Sequence, residues 1–519
     1  MRRTAVVGVL DLGASGGRFF AGVPDCGLMR LVEVHRFVHH PITYYQKDLA
    51  DGRVHRRLCW NTELLYAQLM VGLRALASRP DWDVRSFGID TWGSDGGWLS
   101  TNGDLLGLIG TGRDPRWIEG QARVLEVLGA EELFTLTGAQ SYPYNVLNQI
   151  VWYLNAQPSM LDDAAVYLPV GSYLTYLLTG EAMGEYTWMS TTQLCRAGSS
   201  EYSSEVLDRT TIPADLLPRV VRPGTDLGPL LPAVASEVGL ADTRMMVSAQ
   251  HDTACAFEAA ATSASEGAMI VSSGTWSLAG MLVERPQLGG DVFRAGFTNE
   301  AGVRATRLQK NLMGTWPAQQ LRMAFSRQDG REMGWDEFGA LAEQAPAHSI
   351  VLDVDDPSFY APDDMIAAII SYCERTDQPA PRGRAALCRS VYEGLAMKTA
   401  FAATGLADLT GRSLEEIVIV GGGARNALLN QWIAGASGLP VRTGSADATA
   451  LGNAMVQAEA LGLTPGRHSR SGSMRQEIPP AHAASEDWSP ALEQLRLLMA
   501  TPAEEDANDG ARSRSRDPY

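Results

Sequence analysis

Short apolar runs recur along the chain, and between them lie stretches whose apolar positions follow a helical spacing. Residues 6–10 form such a run, rich in β-branched side chains, and predict a buried strand. Asp11-Leu12-Gly13-Ala14-Ser15-Gly16-Gly17-Arg18 follows, then a second apolar run at 19–23. Strand, Gly/Ser turn, strand is a hairpin pattern. The same arrangement returns at 268–272, Ser273-Gly274-Thr275 and 276–282, so each half of the chain carries one hairpin and two similarly built domains are expected.

The rest of the pattern alternates. Residues 84–89 read as a strand, 121–128 as a helix, and 173–178 as a helix ending at Gly180. The Pro/Gly-rich stretch 213–232 reads as connecting loop before a strand at 245–249. A long helix is expected over 384–409, then a strand at 417–420 running into Gly421-Gly422-Gly423, then helices at 428–436 and 450–461. Pro490 opens a last helix to about residue 500. Such alternation argues an α/β fold. A chain of 519 residues exceeds one compact core, so two domains are the natural division. Residues 503–519 hold almost nothing apolar and are expected to be disordered.

Composition narrows the function. The net charge of −17, with no Lys/Arg-rich stripe, disfavours nucleic acid and anionic lipid as partners. The only lysines are Lys47, Lys310 and Lys398, none in a GxxxxGK[ST] pattern, which excludes a P-loop. Six cysteines show neither a CxxC pair nor a metal-ligand spacing and read as reduced thiols. The apolar run after Met1-Arg2-Arg3 stops at Asp11, short for a signal sequence, and no window approaches the roughly 18 apolar residues of a membrane span. A cytoplasmic protein is expected.

Five constellations could carry chemistry. The turn Ala14-Ser15-Gly16-Gly17 offers backbone N–H groups to phosphate oxygens, Arg18 a charge-assisted contact, and Asp11 a carboxylate for Mg²⁺; a plain hairpin with a charged rim fits the same residues. Asp252, in Gln250-His251-Asp252-Thr253 at a strand end, can accept the proton of an attacking hydroxyl or serve as a helix N-cap. The turn around Thr275 can take outer phosphates. Three glycines, 421–423, between strand and helix let a flat base approach the backbone, where a tight βα turn needs one glycine but hardly three. Gly88-Ile89-Asp90-Thr91-Trp92-Gly93-Ser94-Asp95, followed by Arg113-Asp114-Pro115-Arg116, supplies an aromatic face and carboxylates for a sugar, or an ordinary turn.

The order of these pieces is more specific than any one of them. DLGAS-G-GR, GIDTWG, RDxR, HDTA, SSGTWS and GGGxxN, supported by QKNLMG, EYTWMSTTQL, RNALLNQ and ADATALGNA, resemble the FGGY carbohydrate kinases over about residues 5–500, and among them the members that phosphorylate L-rhamnulose. The resemblance implies two actin-like (RNase H-like) α/β domains around a central cleft: 1–260 on the sugar side and 261–502 on the adenosine side. It implies ATP and Mg²⁺, a ketose phosphorylated at its C1 hydroxyl, and Asp252 as proton acceptor. Gly93, Asp95, His251, Thr253 and Asn311 would contact the sugar. Ala14, Ser15, Gly16, Gly17, Arg18, Thr275, Gln319 and Gly422 would contact ATP, with Asp11 on the metal.

Three departures border the sugar side: Gly96-Gly97-Trp98, where the family carries bulkier apolar residues, Gly171-Ser172-Tyr173 for Pro-Asp-Tyr, and Ala301-Gly302-Val303 for a Gly-Gly pair. They leave open L-fuculose, another 6-deoxyketose or a pentulose as substrate. A non-catalytic sugar-responsive regulator and an actin- or chaperone-like ATPase are the readings from other classes.

Overall fold

The computed structural model describes residues 3–25, 28–49, 52–360, 362–463, 476–479 and 486–500. The expected disorder of 503–519 lies outside the described residues. The chain forms two compact units: residues 1–263, 281–309 and 447–473 make the first, and 264–280, 310–446 and 474–519 the second. A single boundary near 260 matches the end of the first segment, but two later segments return to the first unit. The physical reason is the helix Ala448–Ala460, which packs on the helix Asp252–Ala261 and on the strands Thr4–Gly13 and Trp82–Thr91.

In the first unit Thr4–Gly13 pairs antiparallel with Gly16–Asp25 and parallel with Trp82–Thr91. The six-stranded sheet is completed by Leu28–Val38 beyond the hairpin, and by Arg244–Met246 and Asp226–Pro229 on the other side. Period-two alternation sends Val6, Leu10, Phe19, Phe87 and Ile89 into a core with Leu65, Leu69 and Leu73 of the helix Thr62–Ala77. The other face carries Ala448–Ala460: a Cβ on Gly88 would lie 2.6 Å from Gln457 Nε2. A second core gathers Trp98, Trp117, Trp152, Tyr167 and Trp188 around the small sheet of Gly96–Ser100, Leu105–Leu106 and Ala164–Pro169.

In the second unit Ala268–Ser273 pairs antiparallel with the strand beginning at Trp276 and parallel with Glu416–Val420, which pairs with Val441–Thr443 and that in turn with Gln476–Ile478. The expected long helix is Gly383–Thr410, 28 residues with a largely buried middle, closed by Gly411 at φ 64°. Among the described residues no helix is long and apolar enough to cross a membrane.

Both hairpins, the helix at 170–179 and those of the second half stand where the apolar pattern put them. Two expectations shift. The strand at 245–249 is only Arg244–Met246, because Ser248 donates from Oγ to Ile89 O at 2.8 Å and the chain leaves the ladder there. The loop at 213–232 contributes the edge strand Asp226–Pro229.

Candidate active site

In the first unit Asp11 and Asp90 stand opposite one another on neighbouring parallel strands, so both side chains lie on the sheet face that carries Ala448–Ala460. Arg18 donates to Asp11 Oδ2 at 2.6 Å and also pairs with Asp447. Burial pushes the Asp11 carboxyl up, against the pull of Arg18. Asp90 is fully buried; its Oδ2 accepts from Asn453 Nδ2 at 2.7 Å, and its Oδ1 has no hydrogen-bond partner among the described residues. Burial first, and the charge of Asp11 second, raise the Asp90 carboxyl well above the usual range. Gln457 anchors Asn453, accepts from Ser86 and donates to Gly8 O. Gly16 and Gly17 have a packing reason of their own: a Cβ would lie 2.8 Å from Phe37 O at the first and 2.3 Å from the Phe37 ring at the second. Ala14 and Ser15 form the exposed tip of the turn.

Thr91, paired with Leu12 in the ladder, connects this strand end to the next group by donating its N–H to Gln250 O at 2.8 Å. His251 holds the N-cap position of the helix Asp252–Ala261 without a side-chain cap bond, so Asp252 is not the cap but the first helical residue. Its Oδ1 accepts from Thr253 N at 2.5 Å and Thr253 Oγ1 at 3.1 Å, and a third of its side chain remains open. Burial pushes Asp252 up to about 6, aided by the charge of Asp11 and opposed by the Thr253 hydrogen bonds and Arg307. The loop before it is pinned by buried Glu185, which accepts from Thr187 N, Thr187 Oγ1, Trp188 N and Gln250 N and is itself pushed up to about 7 by burial. His251 is held neutral, its ring pushed well down by burial and by Arg307. Arg307, fully buried, contacts His251 Nδ1 at 2.9 Å and donates to Glu300 Oε2 at 2.9 Å. Gly93 lies against the far edge of the imidazole: a Cβ there would stand 2.5 Å from Nε2.

Asp95 sits at φ 79°, a left-handed conformation that costs a non-glycine residue energy. Its Oδ2 accepts from Trp60 Nε1 at 2.7 Å and Trp92 Nε1 at 2.9 Å, the two indoles being 4.2 Å apart, and its Oδ1 is buried. Burial raises this carboxyl to about 6 against those hydrogen bonds. The RDxR run has a structural job instead. Asp114 accepts from Arg116 Nε at 2.8 Å and Leu58 N at 3.0 Å, and Arg116 lies over Trp117 and Trp152. The departure at Gly96-Gly97 opens no room: a Cβ would lie 2.5 Å from Leu168 O and the Tyr167 hydroxyl at the first, and 2.8–2.9 Å from Leu105 and Ile109 at the second.

In the second unit Gly274 O accepts from Thr315 N at 3.0 Å and Thr315 Oγ1 at 2.9 Å, and Gln319 Nε2 donates to Thr315 Oγ1 at 2.9 Å. Thr275 and Gln319 therefore share one turn-and-helix cluster. A Cβ on Gly421 (φ 81°) would lie 2.8 Å from Ser273 O and one on Gly423 2.1 Å from Ser273 Oγ, whereas Gly422 has no neighbour nearer than 4.0 Å. Two of the three glycines are thus demanded by packing on the same turn, and only Gly422 faces open space. Asn311 lies on the strand Thr306–Met313, two residues beyond Gln309, in the segment 310–446 of this unit.

Reading the sequence gave no role to Arg307 or Glu300, and quoted Asp90, Glu185, Asp447 and Asn453 inside motifs without assigning them. Once Asp90, Glu185, Arg307, Glu300 and Asn453 are seen to be buried, each demands a partner.

These features, an antiparallel hairpin beside a parallel strand in each unit with acidic groups and glycine turns at the strand ends, define an actin-like two-domain α/β phosphotransferase. The N-terminal domain model of the FGGY family of carbohydrate kinases matches residues 37–257 and its C-terminal domain model residues 269–461. The chain belongs to that family and is a sugar kinase, a phosphotransferase with an alcohol group as acceptor. It is similar to the rhamnulokinase of Bacteroides thetaiotaomicron, 33% identical over 470 residues that cover 90% of this chain and 93% of the relative. The rhamnulokinase of Enterococcus faecalis is 34% identical over 457 residues, covering 87% and 89%. Among solved structures, the ligand-bound xylulose kinase of Lactobacillus acidophilus shares the fold with a TM-score of 0.77 at 15% identity, over 96% of this chain and 99% of that one. Plasmodium falciparum glycerol kinase with ADP does so at 0.76 and 13%, over 97% and 100%.

Proposed function

We propose that this kinase transfers the γ-phosphoryl group of ATP to the C1 hydroxyl of L-rhamnulose, with Asp252 as the proton acceptor. The observation that carries the reading is the Asp252 carboxylate itself: seated on a helix N-terminus, a third open, raised to about 6 and flanked by His251 and Gly93. Rhamnulokinases as the similar relatives supply the sugar. Phosphoryl transfer runs through a loose transition state, so positioning and charge stabilisation do most of the catalysis. In the first unit Asp252 orients the hydroxyl and takes its proton, and Gly93, Asp95, His251 and Thr253 contact the sugar; in the second, Asn311 is the sugar contact that the family pattern implies. In the first unit the N–H groups of Ala14 to Gly17 and Arg18 contact phosphate oxygens; in the second, Thr275 and Gln319 are the ATP contacts and Gly422 leaves space for adenosine.

A hard divalent cation fits the first unit, where Asp11 and the partnerless oxygen of buried Asp90 form an all-oxygen donor set. Mg²⁺ bound there would neutralise phosphate charge. The buried cysteines among the described residues, all unpaired, suit a reducing compartment, and we place the reaction in the cytoplasm.

L-fuculose is the second reading. Since Tyr167, Leu168, Leu105 and Ile109 already fill the positions left by Gly96 and Gly97, those glycines do not argue for a bulkier sugar. A ketose panel in a coupled ADP-release assay tests the choice: L-rhamnulose should give the highest kcat/KM, and a better L-fuculose or pentulose would overturn it. Asp252 must be ionised to accept a proton, so kcat/KM for the ketose should rise tenfold per pH unit below about 6 and level off above it; a rate flat from pH 5 to 8 contradicts this. Gly422→Phe should raise KM for ATP about tenfold with kcat for the ketose step little changed, by obstruction of the open space; an unchanged KM would remove adenosine from that turn.

A further inference from the structure

The buried group behind His251 decides which proton that ring carries. Arg307 NH2 stands 2.9 Å from His251 Nδ1. A guanidinium has donors only; the other group facing Nδ1, Glu300 Oε2, is 3.4 Å away, beyond a good hydrogen bond, and already accepts from Arg307 and Gln309, so Nδ1 is the acceptor and the neutral ring bears its proton on Nε2. An imidazolium would turn an N–H against the guanidinium, which agrees with a ring pushed far below its ordinary value. Arg307 has no freedom to release the ring. Its NH2 also donates to Glu300 Oε2 at 2.9 Å, its NH1 to Gln309 Oε1 at 3.0 Å and its Nε to Ala301 O at 3.1 Å. Gln309 Nε2 donates to the same Glu300 oxygen at 3.0 Å, and that network fixes the amide orientation, since the reverse would face NH₂ toward the guanidinium.

The opposite edge of the imidazole is kept open. Nε2 is 3.5 Å from Asp252 Oδ1, beyond a good hydrogen bond, and that oxygen already accepts from Thr253 N and Oγ1. Gly93 places no side chain against Nε2, where a Cβ would come within 2.5 Å. A donor at Nε2 and an acceptor at Asp252 therefore stand side by side. Gauche oxygens on neighbouring carbons are spaced by about one hydrogen-bond length, ~2.8 Å, and match such a pair.

We propose that Arg307 is a positioning residue that fixes His251 as the Nε2–H tautomer, so that His251 and Asp252 together read two oxygens on adjacent carbons of the sugar: one accepts from Nε2–H while its neighbour, the attacking hydroxyl, gives its proton to Asp252. In a ketose these are the oxygens on C2 and C1. The inference rests on the sugar-side reading of His251 and Asp252 and extends it to a substrate rule: the hydroxyl to be phosphorylated must have an oxygen on the next carbon.

The direct test is ¹⁵N NMR of the full chain labelled at histidine, with the His251 signals, one set among eight histidines, identified by their loss in His251→Gln. At pH 7.5 the wild-type ring should be neutral, with the proton on Nε2 and a bare Nδ1; a proton on Nδ1, or an imidazolium, overturns the proposal even if no Arg307 variant folds. In Glu300→Gln/Arg307→Gln, which removes both charges of the pair, the Nε2–H preference should be lost and KM for the ketose should rise about tenfold with KM for ATP within twofold. Arg307→Lys, another donor-only side chain, should restore much of both; a double variant that keeps the wild-type tautomer overturns the proposal. Wild type should also favour the ketose over its 2-deoxy analogue by at least tenfold, and His251→Gln should erase that preference. If His251→Gln leaves ketose binding unchanged, the sugar-side reading fails; if it weakens binding while the wild-type proton sits on Nδ1, only the Arg307 inference fails.

Discussion

Asp252→Asn should lower kcat for ketose phosphorylation by about 10³–10⁴-fold while ATP still binds. The substitution keeps the shape and the hydrogen bonds from Thr253 but leaves nothing to take up a proton. At ~1.4 kcal/mol per decade the loss corresponds to roughly 4–5.5 kcal/mol of transition-state stabilisation. Single-turnover ADP release with saturating ketose checks it, alongside nucleotide affinity by calorimetry. Turnover within tenfold of wild type would mean that the carboxylate is only a resident of the helix start. Fold alone does not assign this residue, since many unrelated chemistries share one scaffold; the proposal rests on its partial exposure and its neighbours.

Gly452→Val should destabilise the protein by about 3 kcal/mol. Here the helix Ala448–Ala460 meets the start of Asp252–Ala261 so closely that a Cβ on Gly452 would lie 1.9 Å from Cys255 O, a backbone atom that cannot swing aside. The same helix brings Asn453 to Asp90, and the residue before it, Asp447, to Arg18, so forcing the helices apart disturbs both acidic groups. A lower denaturant midpoint, with activity falling at temperatures where wild type is stable, is the expected result. A Gly452→Val protein as stable and active as wild type would show that this contact does not hold the acidic groups in place.

Much of this was legible before any coordinates. Hairpins announce themselves because an apolar run, a Gly/Ser turn and a second run are local, and the GGG turn likewise lies between a strand and a helix contiguous in sequence. What stayed hidden was long-range. Residues 447–460 belong with residue 11 and residue 252, and Arg307 belongs with His251, through pairings that no window of sequence contains. Packing adds a second reason for several glycines that no local reading shows: Gly16 and Gly17 lie against Phe37, Gly421 and Gly423 against Ser273, and Gly96 and Gly97 against Tyr167, Leu168, Leu105 and Ile109. RDxR helped to carry the family resemblance, but its local role was not legible: Asp114 and Arg116 satisfy each other inside an aromatic core. Arg307 stands in a mixed strand, TRLQKNLM, so its burial could not be read from the pattern; in the structure it is fully buried and leads to Glu300 and to His251, the neighbour of Asp252.

³¹P NMR of the reaction with L-rhamnulose decides whether Asp252 activates a ketose hydroxyl to take phosphate from ATP. A new phosphomonoester resonance coupled to the C1 protons should grow in step with ADP in the wild type and be absent in Asp252→Asn. Inorganic phosphate released without sugar ester, or the same ester formed at full rate by the variant, would contradict it.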